Sequence, residues 1–126
     1  MAAIKVLVID DNKAHAEGLA ELLNLSGFES SSVFTGLEGV EMAQKLAVDA
    51  VLLDMGLPDI KGSEVCRRLR ANPATADIAI IFHTGTHPSP GSDHPADAFL
   101  TYPIAIGDVS AVIRGCVERR RAMAGM

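Results

Sequence analysis

Three aspartates are placed where they could do chemistry together. Asp10 and Asp11 follow the apolar run Ile4–Ile9, and Asp54 follows the apolar run Ala50–Leu53. Neither run alternates strictly between apolar and polar residues, which is typical of strands buried on both faces of a parallel sheet. Open α/β sheets bind their ligands at the carboxyl ends of such strands. If the two strands are neighbours, the three carboxylates meet at that edge.

Carboxylates this close repel one another and raise one another's pKa unless a cation joins them. Oxygen ligands without His or Cys select Mg²⁺. The ion can neutralise the oxygens of an incoming phosphoryl group, which leaves one carboxylate free as the nucleophile that forms an acyl phosphate. Two structural alternatives stay open: Asp54 could only cap a loop, and Asp11 could only be the N-cap of the first helix.

Helix-like and strand-like segments alternate along the rest of the chain. Further strands are predicted at Phe28–Phe34, Ile78–Phe82 and Ala98–Thr101, and helices at Asn12–Ser26, Leu37–Leu46, Ser63–Ala71 and Asp108 to about Ala122. On the first helix, Leu19, Leu22 and Leu23 are predicted to share the buried face. The alternation predicts βαβ units with right-handed crossovers, hence an α/β fold with a parallel sheet. A flavodoxin-like, doubly wound, five-stranded sheet of order 2-1-3-4-5 is the arrangement in which the first and third strands are neighbours, and it is the fold that we expect.

One connection departs from this pattern. Between the fourth and fifth strands the chain reads HTGTHPSPGSDHPAD, with Pro88, Pro90, Pro95, Gly85 and Gly91. Proline removes a backbone donor and clashes with the preceding helical turn, so this segment does not suit a normal helix. The fourth helix is therefore predicted to be shortened or absent.

Composition narrows the class of protein. We expect residues 1–126 to form a single domain, with 48% hydrophobic residues to build its core. The formal charge of −5 argues against nucleic acid as a partner. Cys66 and Cys116 fit buried, reduced thiols, and neither is followed after six residues by the arginine of a cysteine phosphatase. The sequence has no apolar run long enough for a membrane span and no signal peptide, so we expect a cytoplasmic protein without membrane contact.

Over nearly its whole length, the chain resembles the receiver domain of bacterial two-component response regulators (CheY-like). The residues that carry the resemblance are VLVIDDN at Val6–Asn12, LLDMGLPDIKG at Leu52–Gly62, Thr84, Phe99, and Tyr102-Pro103-Ile104. The resemblance implies a domain that receives a phosphoryl group from a histidine kinase or phosphotransfer protein and signals by contact with a downstream protein that the sequence does not identify. It also leaves homodimerisation open.

The resemblance also implies a role for each matching residue. Asp54 would be the phosphoacceptor. The Mg²⁺ ligands would be Asp10, Asp11, Asp54 and the backbone carbonyl of Gly56. Thr84 would hydrogen-bond a phosphoryl oxygen, and the ring of Phe99 would change rotamer together with Thr84.

The chain departs from the family pattern at the position that normally holds lysine, which is Tyr102 here. A phenol can donate one hydrogen bond but has no positive charge, whereas a charge-assisted contact is worth about 1.5–3 kcal/mol. Together with the breaker-rich segment, Tyr102 indicates an atypical receiver and keeps a second hypothesis open. That alternative is a pseudo-receiver, a protein-interaction module that acts without phosphorylation.

Two further readings have less support. An aspartate-nucleophile phosphatase needs a second acid two residues after Asp54, and that residue is Gly56. A metal cluster could be written from histidines and acids near the fourth strand, but their spacing matches no compact ligand motif; these are His83, His87, His94, Asp93 and Asp97. We interpret His15 as a helix-edge residue near the face where receivers meet their kinase.

Overall fold

The computed structural model of the protein describes residues 3–84, 96–101 and 104–125, with Thr84 described by its backbone alone. In chain order the elements are β1 (Lys5–Ile9), α1 (Lys13–Leu25), β2 (Glu29–Val33), α2 (Gly36–Lys45), β3 (Ala50–Asp54), α3 (Gly62–Ala71), β4 (Ala79–Thr84), β5 (Ala98–Thr101) and α4 (Ile106–Ala124). Each predicted element is present, with bounds that shift by at most two residues.

The strands form one parallel sheet in the order β2-β1-β3-β4-β5, which confirms the predicted topology. The order reverses between β1 and β3, which run side by side with Ile9 opposite Leu53. This junction is the switch point at which doubly wound sheets bind ligands. The residues that follow β1 and those that end β3 therefore meet at one edge.

Successive residues of each central strand enter opposite cores, because side chains alternate between the two faces of a sheet. In β1, Val6 and Val8 pack on the side of α1 and α4, while Leu7 and Ile9 pack on the side of α2 and α3. The same alternation continues through β3 and β4. Burial on both faces explains why these strands read as continuous apolar runs.

The predicted inner face of α1 is wrong at one residue. Leu23 is buried and Leu19 packs against the core, but Leu22 is 48% exposed. The inner face is formed instead by Ala16, Ala20 and Leu23, whose i, i+4, i+7 spacing keeps them on one side of the helix. Leu22 points toward a surface groove between α1 and α4.

Asp97 joins the start of β5 to two helices. Its carboxylate accepts from Arg70 of α3 at 2.9 Å and from Arg120 of α4 at 2.7 Å, and also from the backbone N–H of Ile80 at 2.8 Å. All three charged side chains are largely buried, so each charge is neutralised where water is scarce. This network fixes β5 against β4.

Two expectations concern other parts of the chain. The fourth helix is predicted to be shortened or absent in the segment 83–97, and residues 85–95 of that segment lie outside the described residues. Among the helices that the structure does describe, no stretch combines the length and the apolar character that a bilayer crossing requires.

Substituting Gly62 with alanine tests the packing at the start of α3. A Cβ there would lie 2.8 Å from the Asp54 carbonyl oxygen and 2.9 Å from the Met55 Cα, both backbone atoms that cannot move aside cheaply. We expect Gly62→Ala to lower the free energy of unfolding by about 1–3 kcal/mol in urea titrations.

The matched control is Gly115→Ala, inside α4, where a Cβ meets no described atom within 4 Å. Alanine loses less backbone entropy than glycine in a helix, so this variant should be more stable by about 0.5–1 kcal/mol. Equal effects of the two substitutions would contradict the packing described at Gly62.

Candidate functional site

The structure brings the three aspartates together at the switch point. Carboxylate oxygens of Asp10, Asp11 and Asp54 lie within 4.8 Å of one another. Asp10 is buried, Asp54 is half-buried and Asp11 is exposed, so the cluster opens to solvent on one side. Three hard oxygen donors around one small space suit a divalent cation such as Mg²⁺.

The pKa values of the acids shift in opposite directions. Burial raises the pKa of Asp54, and the negative charges of Asp10 and Asp11 raise it further, against the hydrogen bond from the Gly56 N–H. Burial also disfavours the charged form of Asp10, but hydrogen bonds from His15 and the Asn12 N–H outweigh it and lower the pKa of Asp10. A cation at the cluster would relieve the repulsion that raises the pKa of Asp54.

The two structural alternatives have different outcomes. Asp54 does cap its loop, because its Oδ1 accepts from the Gly56 N–H at 3.2 Å. Asp11 is not the N-cap of α1, since Asn12 has that position and its side chain accepts from the backbone N–H of His15. Helix capping therefore does not account for Asp11. The resemblance assigns the carbonyl of Gly56 to the metal, and Gly56 lies in the exposed loop directly after β3.

The loop that carries Gly56 is anchored to the N-terminus of α2. The carboxylate of Asp59 accepts from the backbone N–H groups of Gly36 and Leu37, each at 2.9 Å, and these hydrogen bonds lower its pKa despite some desolvation. Ile60 fills the space beside Gly36, where a Cβ would lie 2.6 Å from its Cγ1. The loop is therefore fixed to the start of α2 by two hydrogen bonds and by close packing.

The proposed switch residues are described only in part. Phe99 of β5 lies opposite Phe82 of β4, and their rings stack with centroids 5.3 Å apart. The backbone of Thr84 ends β4, next to the strand that ends in Asp54. The roles predicted for Phe99 and Thr84 remain predictions. Tyr102 lies outside the described residues.

The structure also places two histidines next to Asp10. His15 Nδ1 lies 2.5 Å from Asp10 Oδ2, and nitrogen and oxygen atoms of His15, His83 and Asp10 all lie within 4.8 Å of one another. Sequence reasoning missed this grouping, although the predicted sheet order and the period of two along β4 would have placed His83 on the side of α1.

The structure does not bring together the residues of the metal cluster that the sequence suggested around His83, as far as they are described. Asp97 is bound to two arginines instead, whereas His87, Asp93 and His94 lie outside the described residues. Burial lowers the pKa of His83 to about 4.

A short basic run lies in α4 and consists of Arg119, Arg120 and Arg121. Each of these arginines has a partner within the chain. Arg120 pairs with Asp97, Arg121 lies 3.6 Å from Asp49, and Arg119 contacts the Sγ of Cys116. Two of the three positive charges of the run therefore lie beside aspartates of the same chain.

Comparison with known proteins agrees with this architecture. Residues 6–114 match the family model described as the response regulator receiver domain. The chain belongs to the response regulator receiver domain family. Response regulators are components of two-component signalling systems. Their receiver domains are in general signalling modules and not enzymes.

Curated relatives of this receiver include longer response regulators. It is 31% identical over 91% of its length to the DNA-binding dual master transcriptional regulator RpaA of Synechocystis sp., and the match covers 49% of that protein. It is 30% identical over 94% of its length to the response regulator MprA of Mycobacterium ulcerans, and the match covers 52% of that protein. The chain thus spans about half the length of the curated relatives it matches.

Solved structures show the same fold. A CheY-like receiver from Methanospirillum hungatei superposes with a TM-score of 0.85 at 22% identity, covering 97% of this chain and 99% of that one. The receiver domain of a sensor histidine kinase from Pseudomonas aeruginosa superposes with a TM-score of 0.84 at 21% identity, covering 93% of this chain and 99% of that one. That structure has a magnesium ion in its active site cleft.

Removing the carboxylate of Asp59 tests the anchor of the Gly56 loop. Asp59→Ala loses the two hydrogen bonds from the first N–H groups of α2 and leaves the N-cap residue Thr35 in place, and we expect the free energy of unfolding at neutral pH to fall by about 1 kcal/mol. Because folding lowers the pKa of Asp59, its stabilising effect is present above the ordinary value of 3.8 and is lost as the pH falls through the lower folded-state value.

Urea unfolding of wild type and Asp59→Ala should therefore show a difference at neutral pH that shrinks well below pH 3.8. Asp77→Ala, at an exposed acid before β4, is the control and should differ little from wild type at either pH. A difference at Asp59 that is independent of pH would contradict the charge-assisted hydrogen bonds.

Proposed function

We propose that residues 1–126 act as one phosphorylatable receiver, in which Asp54 accepts a phosphoryl group from a histidine kinase or phosphotransfer protein. The observation that carries the proposal is the convergence of Asp10, Asp11 and Asp54 at the switch point of the sheet. The family membership supports a role in two-component signalling. The resemblance further implies that the domain signals by protein–protein contact, and the sequence expectation of a cytoplasmic protein stays part of this proposal.

The residues divide the reaction between them. An oxygen of Asp54 attacks phosphorus and forms the new O–P bond, while the bond from phosphorus to the donor breaks and its electron pair leaves with the donor group. Asp10, Asp11, Asp54 and the Gly56 carbonyl would hold Mg²⁺, which supplies positive charge to the phosphoryl oxygens. Asp10 is suited to hold a cation because its hydrogen bonds keep it ionised.

Asp54 is also suited to be the acceptor by position. It ends a strand whose other residues are buried, so its backbone is fixed, while its side chain is half-exposed and reachable by a donor. The hydrogen bond from the Gly56 N–H to Oδ1 orients the carboxylate. A fixed nucleophile next to a bound cation is what in-line phosphoryl transfer requires.

Replacing Asp54 tests the acceptor directly. Wild type incubated with Mg²⁺ and a small acyl phosphate should gain the mass of one phosphoryl group, and Asp54→Asn should gain none, because the amide is not nucleophilic. Asp77→Asn, at an exposed acid in the loop before β4, should be phosphorylated like wild type. Intact-protein mass spectrometry measures all three, and phosphate on Asp54→Asn would refute the assignment.

The alternative function, a phosphorylation-independent pseudo-receiver, is favoured by Tyr102 in the position where the family has lysine. Tyr102→Lys restores a positive charge that can contact the phosphoryl group, a contact worth about 1.5–3 kcal/mol. If the domain is phosphorylated without that charge, the substitution should raise the steady-state fraction of phosphoprotein under limiting donor.

The same mass measurement separates the two functions. An unphosphorylated wild type and an unphosphorylated Tyr102→Lys, both correctly folded by circular dichroism, would favour the pseudo-receiver. Phosphorylation of Tyr102→Lys without phosphorylation of wild type would show that the three acids are competent and that the reaction lacks only the positive charge of the lysine.

A further inference from the structure

The cluster of Asp10, His15 and His83 differs in chemistry from the acidic cluster beside it. It offers one carboxylate oxygen and two imidazole nitrogens, all within 4.8 Å of one another, whereas Asp10, Asp11 and Asp54 offer oxygen alone. Imidazole nitrogen favours Zn²⁺, Co²⁺, Ni²⁺ and Cu²⁺ over Mg²⁺. Asp10 belongs to both clusters.

The three side chains come from separate elements that the fold holds in place. Asp10 follows β1, His15 lies in the first turns of α1, and His83 is in β4. Asp10 and His83 are buried, with 4% and 2% of their surface exposed, while the side chain of His15 is 38% exposed. A site with two buried ligands and one at the surface gives an ion a path of entry.

The geometry suits a tetrahedral ion after a small movement. Ligand atoms around zinc, with bonds of about 2.0–2.2 Å, are separated by about 3.3–3.5 Å. His15 Nδ1 is closer than this to Asp10 Oδ2, at 2.5 Å, and its exposed ring can rotate outward. The rings of His15 and His83 have centroids 5.8 Å apart and are tilted by 48°, so they are not stacked face to face.

We propose that Asp10, His15 and His83 bind a divalent transition-metal ion of the Zn²⁺ class. We further infer that this ion antagonises Mg²⁺, because both need the carboxylate of Asp10. The second statement rests on the proposed function and the first does not. Such a receiver would be phosphorylated less readily when the transition metal is abundant.

Calorimetric titration of the full chain with Zn²⁺ tests the site itself. Wild type should bind one ion, and His15→Gln should bind it at least roughly 10–100-fold more weakly, since changes outside the first ligand shell alone cost that much. His15 is partly exposed, and glutamine is a good helix former, so this variant should fold. Titration with Co²⁺, followed by its visible absorption, should show the same loss.

Two controls decide between this site and other sources of binding. His83→Leu, of similar volume and also apolar enough for its buried position, should lose the ion as His15→Gln does. The double variant His87→Gln/His94→Gln should bind Zn²⁺ like wild type. Unchanged affinity in His15→Gln, loss of binding in the double variant, or no binding by wild type would each overturn the proposal.

Phosphorylation by a small acyl phosphate with Mg²⁺ tests the antagonism separately. Added Zn²⁺ should lower the phosphorylated fraction of wild type and have a much weaker effect on His15→Gln. Equal inhibition of both proteins would overturn the antagonism. If wild type is never phosphorylated, the proposed function fails, while the Zn²⁺ titration still decides the metal site.

Discussion

The mutual repulsion of three carboxylates is the constraint on which the site depends. The parallel pairing of β1 with β3 sets Ile9 opposite Leu53, so the acids that come next along each strand are forced to one edge of the sheet. Folding therefore creates a concentration of negative charge, and the pKa of Asp54 is raised first by burial and further by the charges of Asp10 and Asp11. A bound divalent cation would relieve the repulsion among the carboxylates. Its positive charge is also what phosphoryl transfer requires.

The surroundings of the cluster are built to hold it still. Asp59 fixes the loop after β3 to α2, and Gly62 allows α3 to begin against the backbone of Asp54. At the amino-terminal ends of β4 and β5, Asp97 joins these strands to α3 and α4 through two arginines. These contacts lie outside the acidic cluster, yet each restricts an element that positions it. Preorganisation of this kind is how a fixed backbone places a nucleophile beside a cation.

Most of the fold could be predicted from the sequence, because burial on both faces makes β1, β3 and β4 read as apolar runs and helices fill the intervals. The acids at the strand ends were predictable for the same reason. The exposure of Leu22 was not predictable, because a leucine at the margin of the apolar face of a helix fits the helical period and can still be exposed. His83 was not placed beside Asp10 and His15 either. The period of two along β4 puts it on the side of α1, but its distances to the two partners depend on tertiary structure.

The free energy of unfolding with and without Mg²⁺ tests the central claim most directly. If repulsion among Asp10, Asp11 and Asp54 is relieved by a bound cation, wild type should gain about 2.7 kcal/mol at a Mg²⁺ concentration of 100 Kd, compared with monovalent salt of equal ionic strength. Asp11→Asn, which removes one exposed like charge, should be more stable than wild type without Mg²⁺ and gain less from it. A wild type indifferent to Mg²⁺, or an Asp11→Asn that gains as much, would contradict the account.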